Sequence, residues 1–325
     1  MVTNFQDYSE TPRPILEHAL REALSGLLGG IAVRDAAHLT DSLEAGKKIR
    51  GCLTCMIAQA LGGKLEAAIP RAISVELIQA ATLIHDDVVD RDTVRRGRPA
   101  VWIVEGARRA VLIGDVIFAS AIATMSDLSR EDGLAVSQAI AQVSKGALHE
   151  PFDPLVLASE IESGTINNHH YEKIIRLKTG ILFGTACLLG AIAAEADKEL
   201  RKRSYRYGLH IGEAYQIADD IQEVKAHLSK RSIRPEQVMA LTPALLQFAD
   251  GMRPHVVTLL KGKSTRLNRA ALNFFNTAAE LMELEIEHRL QSAVFELEGH
   301  FPDNGYRTLV RSAPRDIIRM FNASS

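Results

Sequence analysis

Leu83-Ile84-His85-Asp86-Asp87-Val88-Val89-Asp90 places three carboxylates at the end of a run that otherwise has the character of a buried helix. Residues three and four apart share one face of a helix, so Asp90 is predicted to lie one turn beyond both Asp86 and Asp87. Carboxylates are rarely buried unless they are paired or bind a metal. Three oxygen donors on one face suit a hard divalent cation, Mg²⁺ above all.

A second stretch, Tyr215-Gln216-Ile217-Ala218-Asp219-Asp220-Ile221-Gln222-Glu223, repeats this arrangement far down the chain. One such cluster could be an exposed helix face whose pattern has no function. Two clusters, each at the end of an apolar helical run, favour a shared metal site in which they face each other across a cavity. Because Mg²⁺ usually bridges a few carboxylates to substrate phosphates, the expected ligand is a diphosphate.

The composition is that of an ordinary globular protein. The 325 residues are 46% hydrophobic and 24% charged with a net charge of −2, which gives no overall attraction to nucleic acid or to anionic membranes. Cys52 and Cys55 form a lone CxxC with no second pair, so buried thiols are predicted. The N-terminus lacks a signal-peptide pattern, and the longest apolar segment, 180–194, is too short to span a bilayer. We expect a cytoplasmic protein with no membrane span and no nucleic-acid partner.

Helical periodicity runs through most of the chain, and no strand-like alternation exceeds a few residues. Helices are predicted over 14–28, 70–93, 103–125, 134–148 and 171–194, with irregular chain over 225–240. Pro70 is expected to be the first residue of its helix, and Asp197 to cap the helix that follows it. The pattern predicts an all-α fold with one hydrophobic centre in a single domain over residues 1–325.

Short basic segments supply the cations that a diphosphate would need: Gly46-Lys47-Lys48-Ile49-Arg50-Gly51, Arg95-Arg96-Gly97-Arg98-Pro99 and Lys178-Thr179-Gly180. The first is a glycine-flanked turn, where the backbone can approach an anion closely. The second directly follows the first acidic cluster, and its arginines suit bidentate binding of phosphate oxygens. The third puts a lysine inside an apolar helix, which is costly without an anion beside it. For each of the first two segments alone, a solvated basic turn is the alternative, whereas for the third a functional role is favoured.

Taken together, these segments resemble the all-trans isoprenyl diphosphate synthases, also called polyprenyl synthetases. The similarity extends from Gly46 to the C-terminal helix and includes Leu112-Ile113-Gly114-Asp115 and the second acidic cluster, in the family's order and spacing. The resemblance implies an isoprenoid-synthase-like helical bundle around a deep central cavity, with both acidic clusters at the mouth, and usually a homodimer. It implies a prenyltransferase that condenses isopentenyl diphosphate with an allylic diphosphate.

The resemblance also implies roles for individual residues. Three Mg²⁺ ions would be held by Asp86, Asp87, Asp90, Asp219, Asp220 and Glu223. The allylic partner would be contacted by Arg95 and by the catalytic residues Lys178, Thr179 and Gln216. Isopentenyl diphosphate would be held by Lys47, Arg50 and Arg96, with Gln79 where the family usually has a histidine. The metal and the basic residues would stabilise the departing diphosphate, and the resulting allylic cation would be attacked by the isopentenyl double bond.

Product length is expected to depend on the residues one turn deeper than Asp86. These are Ala81 and Thr82, both small, whereas family members that stop at C15 often carry aromatic residues there. The expected product is therefore C20 or longer. The alternative is that these two are packing residues and that the cavity floor lies elsewhere, near Phe118.

The chain departs from the family pattern at Gln79, at Glu223, which replaces an aspartate, and in a region with no glycine between Gly212 and Gly251. The family has a glycine-rich loop with a lysine in that region, and Lys225, Lys230 and Arg231 are the available substitutes. Two alternatives to an elongating enzyme follow. One is a terpene-synthase-like enzyme, or one with a non-standard acceptor, that uses the same allylic site. The other is a catalytically weak subunit that supports a partner enzyme.

Overall fold

The computed structural model describes residues 3–31, 33–166, 169–230, 232–249, 251–262, 266–300, 302 and 304–322, apart from the side chains of residues 229 and 230. Its helices are α1 (Phe5–Ser9), α2 (Pro12–Leu28), α3 (Ala36–Glu44), α4 (Ile49–Ala60), α5 (Leu65–Val89), α6 (Val101–Glu105), α7 (Ala107–Leu128), α8 (Arg130–Ala147), α9 (Pro154–Glu162), α10 (His170–Ile175), α11 (Ile181–Ala193), α12 (Lys198–Lys230), α13 (Pro235–Phe248), α14 (Arg253–Leu260), α15 (Arg269–Leu297) and α16 (Arg307–Asn322). A π-helical turn, Arg176–Gly180, joins α10 to α11. The prediction of an all-α fold is confirmed.

One short hairpin follows α5. Strands β1 (Val94–Arg95) and β2 (Arg98–Pro99) pair antiparallel, with Arg95 opposite Arg98. The two residues between them, Arg96 and Gly97, have φ values of 53° and 75°. Positive φ at both central positions is the signature of a type I′ turn, whose twist matches that of the strands. The hairpin therefore fixes the backbone of the second basic segment.

Several predicted helix boundaries differ from the structure; for example, the helix predicted over 70–93 spans Leu65–Val89. Helix α5 begins at Leu65, so Pro70 lies inside it and not at its first position. A proline this close to the helix start removes one hydrogen bond, to the carbonyl of Glu66, and the rest of the helix is unaffected. The segment predicted to be irregular, 225–240, is helical up to Lys230 and again from Pro235. His227 and Val238 are buried on that stretch, so it packs even though many of its other residues are charged or polar.

The predicted cap of α12 is confirmed. The Asp197 carboxylate accepts a hydrogen bond from the backbone N–H of Leu200, with 2.8 Å between Oδ1 and N. This satisfies one of the donors that every helix leaves unpaired at its start.

The chain divides into two compact units, and each is described by itself. Unit 1 comprises residues 1–141, 182–208 and 296–317, and unit 2 comprises 142–181, 209–295 and 318–325. A single domain over the whole chain remains a prediction.

Unit 1 is built around α4, which is buried along most of its length. Its side chains Leu53, Met56 and Ile57 are all fully buried. Helix α11 lies directly against it, since a Cβ on Gly190 would come within 2.5 Å of the carbonyl oxygen of Thr54. Glycine at this position is therefore what lets the two backbones touch.

The thiols of unit 1 are enclosed by this packing. Cys52, Cys55 and Cys187 are free and buried. Burial, with a smaller contribution from nearby Glu76, raises the pKa of Cys55 to about 12. A thiol that stays protonated is a poor nucleophile and a poor metal ligand. The prediction of small buried thiols is confirmed.

Unit 2 has two apolar clusters to which α12 contributes residues. One, in which Leu157, Leu245, Val256 and Phe275 are buried, joins α9, α13, α14 and α15. Another surrounds Tyr171. The second cluster lies beside the second acidic motif and fixes the side chains around it.

Three helical segments are long and apolar enough to cross a membrane by length and composition: Leu65–Val89, Ala107–Leu128 and His170–Ala193. Their most apolar windows are 50%, 28% and 83% buried within the protein. The third is thus largely a core helix, whereas α7 leaves most of its apolar surface uncovered. The absence of a membrane span remains a prediction.

Candidate active site

The first acidic cluster lies at the C-terminal end of α5 in unit 1. Asp86 and Asp87 occupy its last turn, and Asp90 caps the helix with its N–H bonded to the carbonyl of Asp86. The three carboxylates differ in solvent exposure: Asp90 is exposed, Asp86 is half-buried and Asp87 is 3% exposed. The helix therefore presents Asp86 and Asp90 outward and turns Asp87 toward the protein.

Asp87 is paired with the hairpin. The Arg95 guanidinium donates to its Oδ1 through Nε at 2.7 Å and through Nη2. Arg95 also reaches Asp92 at 3.3 Å. Burial alone would lower the pKa of Arg95, but its hydrogen bonds to Asp87 and the nearby carboxylates raise it. A buried carboxylate held in this way orients the arginine, and a metal-binding role for Asp87 remains a prediction.

The two basic segments of unit 1 meet at Gly46. The Arg96 guanidinium donates to the carbonyl of Ala45, 51 residues earlier in the chain. A Cβ on Gly46 would lie 2.8 Å from Nη2 of Arg96, and Gly46 has a φ of 125° that other residues rarely adopt. Glycine is thus required twice here, once for the turn and once for the approach of the arginine. The contact brings Arg96 beside Lys47.

The first turn of α4 is anchored from α5. The N–H of Gly51 donates to Oε1 of Glu76 at 2.8 Å, and Glu76 is 9% exposed. Lys48 caps α4 in a left-handed conformation with a φ of 52°, and its ammonium donates to the carbonyl of Glu44. Burial lowers the pKa of Lys48, and Glu76 acts in the opposite direction. The buried pair thus holds the turn that carries Lys47 and Arg50.

Arg50 lies over an aromatic ring. Its Cζ is 4.4 Å from the ring centroid of Phe183 on α11, and the ring is fully buried. A guanidinium within 6 Å of a ring centroid is attracted by the negative face of the ring. Phe183 therefore restricts where the guanidinium of Arg50 can point.

The residues predicted to control product length lie on α5 below the acidic cluster. Ala81 is fully buried, whereas Thr82 is half-buried and donates its hydroxyl to the carbonyl of Gln79. The alternative floor residue, Phe118, meets the ring of His85 edge-on at 5.4 Å. Gly114 makes that contact possible, since a Cβ there would lie 2.2 Å from Nε2 of His85. Which residues form a cavity floor remains a prediction.

The second acidic cluster lies on α12 in unit 2. Asp219 and Glu223, four residues apart, are both exposed and share one face of the helix. Asp220 points the other way and is half-buried. Both of its oxygens accept hydrogen bonds, Oδ2 from the hydroxyl of Tyr171 at 2.5 Å and Oδ1 from the amide of Gln216 at 3.0 Å.

A hydrogen-bond chain joins the catalytic candidates of unit 2. The Thr179 hydroxyl donates to Oε1 of Gln216 at 2.6 Å, and Nε2 of the same amide donates to Asp220. Thr179 comes from the π-helical turn and Gln216 from α12, so the predicted pair is brought together. Burial raises the pKa of Asp220 to about 7, against the effect of the two donors. The pKa of Tyr171 is far above 10, chiefly because it is buried, so its hydroxyl stays a donor.

Lys178 has a carboxylate partner that the motifs did not indicate. Its Nζ donates to Oε2 of Glu150 at 2.8 Å, across the connector between α8 and α9. Lys178 and Thr179 lie on the π-helical turn. The neighbouring residue Leu177 packs closely against Gly146, since a Cβ added at Gly146 would lie 2.9 Å from Leu177. π-helical turns within helices are often found at functional sites.

The glycine-free region continues α12. Lys225, one of the possible replacements for the family's loop lysine, forms an ion pair with Glu283 on α15 at 2.6 Å. The side chain of Lys230 and all of Arg231 lie outside the described residues. Within unit 2, therefore, helix stands where the family resemblance leads one to expect a glycine-rich loop.

Sequence reasoning missed Glu76, Glu150, Tyr171 and Phe183. The only signal for Tyr171 was its place seven residues before Lys178, about two helical turns on the same face. The others contact their partners across 25 or more residues of chain, and no local pattern announces such a contact.

The exposed carboxylates suit magnesium in their chemistry. Among the described residues no three acidic, histidine or cysteine side chains converge into a closed metal site. Mg²⁺ does not need such a site, because it keeps several waters and is commonly held by one or two carboxylates together with substrate phosphates. The pairs Asp86 with Asp90 and Asp219 with Glu223 offer oxygen ligands of that number.

A sequence profile of the polyprenyl synthetase family matches residues 36–231, which is more than half of the chain. The chain therefore belongs to the polyprenyl synthetase family.

Individual relatives agree with this assignment. A geranylfarnesyl diphosphate synthase from Aeropyrum pernix is 39% identical over 189 residues, covering 54% of this chain and 57% of the relative. A geranylgeranyl diphosphate synthase from Mycobacterium tuberculosis is 34% identical over 215 residues, covering 64% and 60%. These alignments thus span less than two thirds of the relatives' own length.

The fold matches over nearly the whole chain. A polyprenyl synthase from Caulobacter crescentus, solved with calcium and isoprenyl diphosphate, superposes with a TM-score of 0.71 at 20% identity. The match covers 98% of each chain. At this identity the similarity establishes the fold alone.

Proposed function

We propose that this protein is a trans-prenyltransferase that condenses isopentenyl diphosphate with an allylic diphosphate. Family membership supports the reaction class, and the named relatives are prenyl diphosphate synthases. The observation that carries the proposal is the meeting of the two basic segments at Gly46. Arg96 and Lys47 meet at the turn before α4, and Arg50 lies in the first turn of that helix, so three cationic side chains lie close together in the chain segment that the hairpin contacts.

In the proposed reaction, the bond between the first carbon of the allylic chain and its diphosphate oxygen breaks, and the oxygen keeps the electron pair. The double bond of isopentenyl diphosphate then attacks that carbon to form a carbon–carbon bond. The new cation loses a proton to the released diphosphate, and a longer allylic diphosphate results. Atoms and charge balance without any further reactant.

The chain's own residues bind and orient the two diphosphates. Lys47, Arg50 and Arg96 hold isopentenyl diphosphate, and Lys178 neutralises charge on the departing group as it leaves. Thr179 and Gln216 line the allylic carbon, and their fixed dipoles stabilise positive charge there. Gln79 offers a neutral hydrogen bond, so it orients without adding charge.

Metal ions would be held by the acidic clusters: Asp86, Asp87, Asp90, Asp219, Asp220 and Glu223. Mg²⁺, when bound, supplies charge that stabilises the diphosphate leaving group. Asp90, Asp219 and Glu223 are the most accessible of these residues because they are exposed, and Asp86 is half-buried. Three ions remain the expected number.

The proposed product is C20 or longer. The relatives named above make geranylgeranyl and geranylfarnesyl diphosphates, and Ala81 and Thr82 leave room one turn below Asp86. Small residues there let a growing chain pass between helices, whereas an aromatic ring would stop it.

One assay separates this function from its alternatives. Purified protein is incubated with Mg²⁺, isopentenyl diphosphate and an allylic diphosphate of five, ten or fifteen carbons, and the products are weighed by mass spectrometry. Elongated diphosphates are the expected result. Hydrocarbon or alcohol without elongation would indicate a terpene-synthase-like enzyme, and turnover only with an added protein would indicate a supporting subunit.

We also propose a homodimer in the cytoplasm, formed through α7. Its residues Val111, Leu112 and Val116 are 38%, 54% and 38% exposed, and burying such a surface in a partner is favourable. In sedimentation experiments the wild type is expected to show twice the monomer mass. Leu112→Glu is expected to show the monomer mass. Recovery of the wild type only in the membrane fraction would contradict the proposal.

A further inference from the structure

Tyr171 is the most deeply buried polar side chain that touches the second acidic cluster, and the proposed reaction gives it no role. It is 3% exposed, and its ring packs in an apolar cluster with Ile175, Ile217 and Met282. The ring of Phe248 meets it edge-on at 5.7 Å. A ring held on several sides has little freedom, so the position of its hydroxyl is fixed by the core of unit 2.

That hydroxyl determines which way Asp220 faces. It donates to Oδ2 at 2.5 Å, which leaves Oδ1 directed at Gln216. A short hydrogen bond from a neutral donor to a carboxylate is stronger than one between neutral groups. Tyr171 thereby holds Asp220 back from the exposed face that Asp219 and Glu223 share.

The orientation of Asp220 in turn determines the orientation of the Gln216 amide. In its carboxylate form Asp220 accepts hydrogen bonds only, so in that form the amide presents its nitrogen to Asp220 and its oxygen to Thr179. The observed bonds follow this order, with Thr179 donating to Oε1 at 2.6 Å. The reversed amide would set two acceptors against each other at 3.0 Å. The hydroxyl hydrogen of Thr179 is therefore used in the bond to Gln216. Only the lone pairs of the Thr179 oxygen can then face a cationic carbon.

We propose that Tyr171 is a positioning residue for the allylic site, acting through Asp220 to hold Gln216 and Thr179 in the orientation that faces electron-rich oxygen toward the developing cation. This inference rests on the proposed function, in which Gln216 and Thr179 contact the allylic partner. Tyr171 itself touches no substrate.

The competing explanation is that the Tyr171 hydroxyl merely needs an acceptor because it is buried. Unit 1 provides a matched control for that explanation. Tyr207 is fully buried, and its hydroxyl donates to the carbonyl of Val310 at 2.8 Å. Its acceptor is a backbone carbonyl with no link to the predicted site residues, so Tyr207→Phe removes one buried hydroxyl bond and nothing else.

The experiment compares Tyr171→Phe with Tyr207→Phe in the full chain. Steady-state kinetics give KM for each substrate and kcat, calorimetry gives the affinity for a farnesyl thiolodiphosphate in MgCl₂, and thermal unfolding gives Tm. Both variants are expected to lower Tm by a few degrees. Only Tyr171→Phe is expected to lower the affinity for the analogue about tenfold and to reduce kcat about tenfold or more. Its KM for isopentenyl diphosphate is expected to stay unchanged.

An active wild type in which Tyr171→Phe matches Tyr207→Phe in every measurement would overturn this inference alone. A wild type that neither elongates nor binds the analogue would overturn the proposed function, and the inference with it. If Tyr171→Phe does not fold, Phe248→Leu serves instead, because it keeps the hydroxyl but loosens the ring. Phe248→Leu is expected to lower the affinity for the analogue about threefold. An affinity equal to that of the wild type would count against the inference.

Discussion

The carboxylate of Glu76 accepts a hydrogen bond from the backbone N–H of Gly51, with 2.8 Å between Oε1 and N. This bond ties the first turn of α4 to α5, so it holds Arg50 and the turn that bears Lys47. A carboxylate in that place satisfies a helix donor and complements the positive end of the helix dipole.

Glu76→Gln is expected to raise KM for isopentenyl diphosphate about tenfold and to leave KM for the allylic substrate unchanged. The substitution removes a charge-assisted bond worth about 1.5–3 kcal/mol and lets the basic turn move. Glu105→Gln is the matched control, because Glu105 is also buried and also accepts from backbone N–H groups, those of Arg34 and Asp35. If Glu76→Gln changed KM for isopentenyl diphosphate and KM for the allylic substrate equally, this would contradict a role specific to the basic turn.

Glu105 itself makes a pH-dependent contribution to stability. Burial alone would raise its pKa, but the Arg109 guanidinium and two backbone N–H groups outweigh burial and lower the pKa below 4.5. A carboxyl with a lowered folded-state pKa stabilises the fold above its unfolded pKa, and that stability is lost as the pH falls through the folded value. Glu105→Gln is thus expected to lower the free energy of unfolding by about 1–2 kcal/mol at pH 7. Urea titrations from pH 7 to 3 should show the difference closing below pH 4.5, and a constant difference would argue against ionisation as the cause.

Phe183→Leu is expected to raise KM for isopentenyl diphosphate several-fold, because the guanidinium of Arg50 loses the ring 4.4 Å from it. A partly desolvated cation–π contact is worth about 1–2 kcal/mol, which corresponds to a factor of about 5 to 30. Phe275→Leu, at a fully buried ring in unit 2, reproduces the loss of packing. If both variants destabilise the protein and neither changes this KM, the ring acts through packing alone.

Glu150→Gln is expected to lower KM for the allylic diphosphate two- to fivefold. The ammonium of Lys178 lies 2.8 Å from Glu150, so a bound diphosphate has to compete with that carboxylate. Both groups are about one-third exposed, and solvent screening keeps the effect small. Lys178→Ala should raise the same KM, and a rise in Glu150→Gln would indicate that Glu150 orients the lysine for binding.

Ala81→Phe is expected to shorten the product. Ala81 is fully buried one turn below the first acidic cluster, and a ring there fills space that a growing chain would need. Ala80→Phe is the control, since Ala80 is also buried but lies about 100° around the helix. The masses of the products of both variants test this prediction. An unchanged product profile in Ala81→Phe would show that the cavity floor is formed by other residues.

Periodicity and motif spacing were sufficient for the helices and for the identity of most candidate residues. The cap at Asp197 follows from a rule that acts within one turn, whereas α5 ends at Val89 and not at the predicted residue 93. Residues 225–240 were predicted to be irregular because of their charge, while buried positions such as His227 and Val238 keep their helices packed. Local composition does not reveal which face of a helix has a neighbour.

The sequence by itself determined the all-α class, the two acidic clusters and the basic segments, since these depend on residue types at short spacing. Only the tertiary structure decided that Asp87 faces Arg95, that Asp220 faces Tyr171 and Gln216, and that Arg96 reaches the turn at Gly46. The physical reason is that a carboxylate's role depends on which donor the packing brings to it. Adjacent aspartates look alike in sequence, but a helix turns them 100° apart, and burial gives one of them a fixed partner.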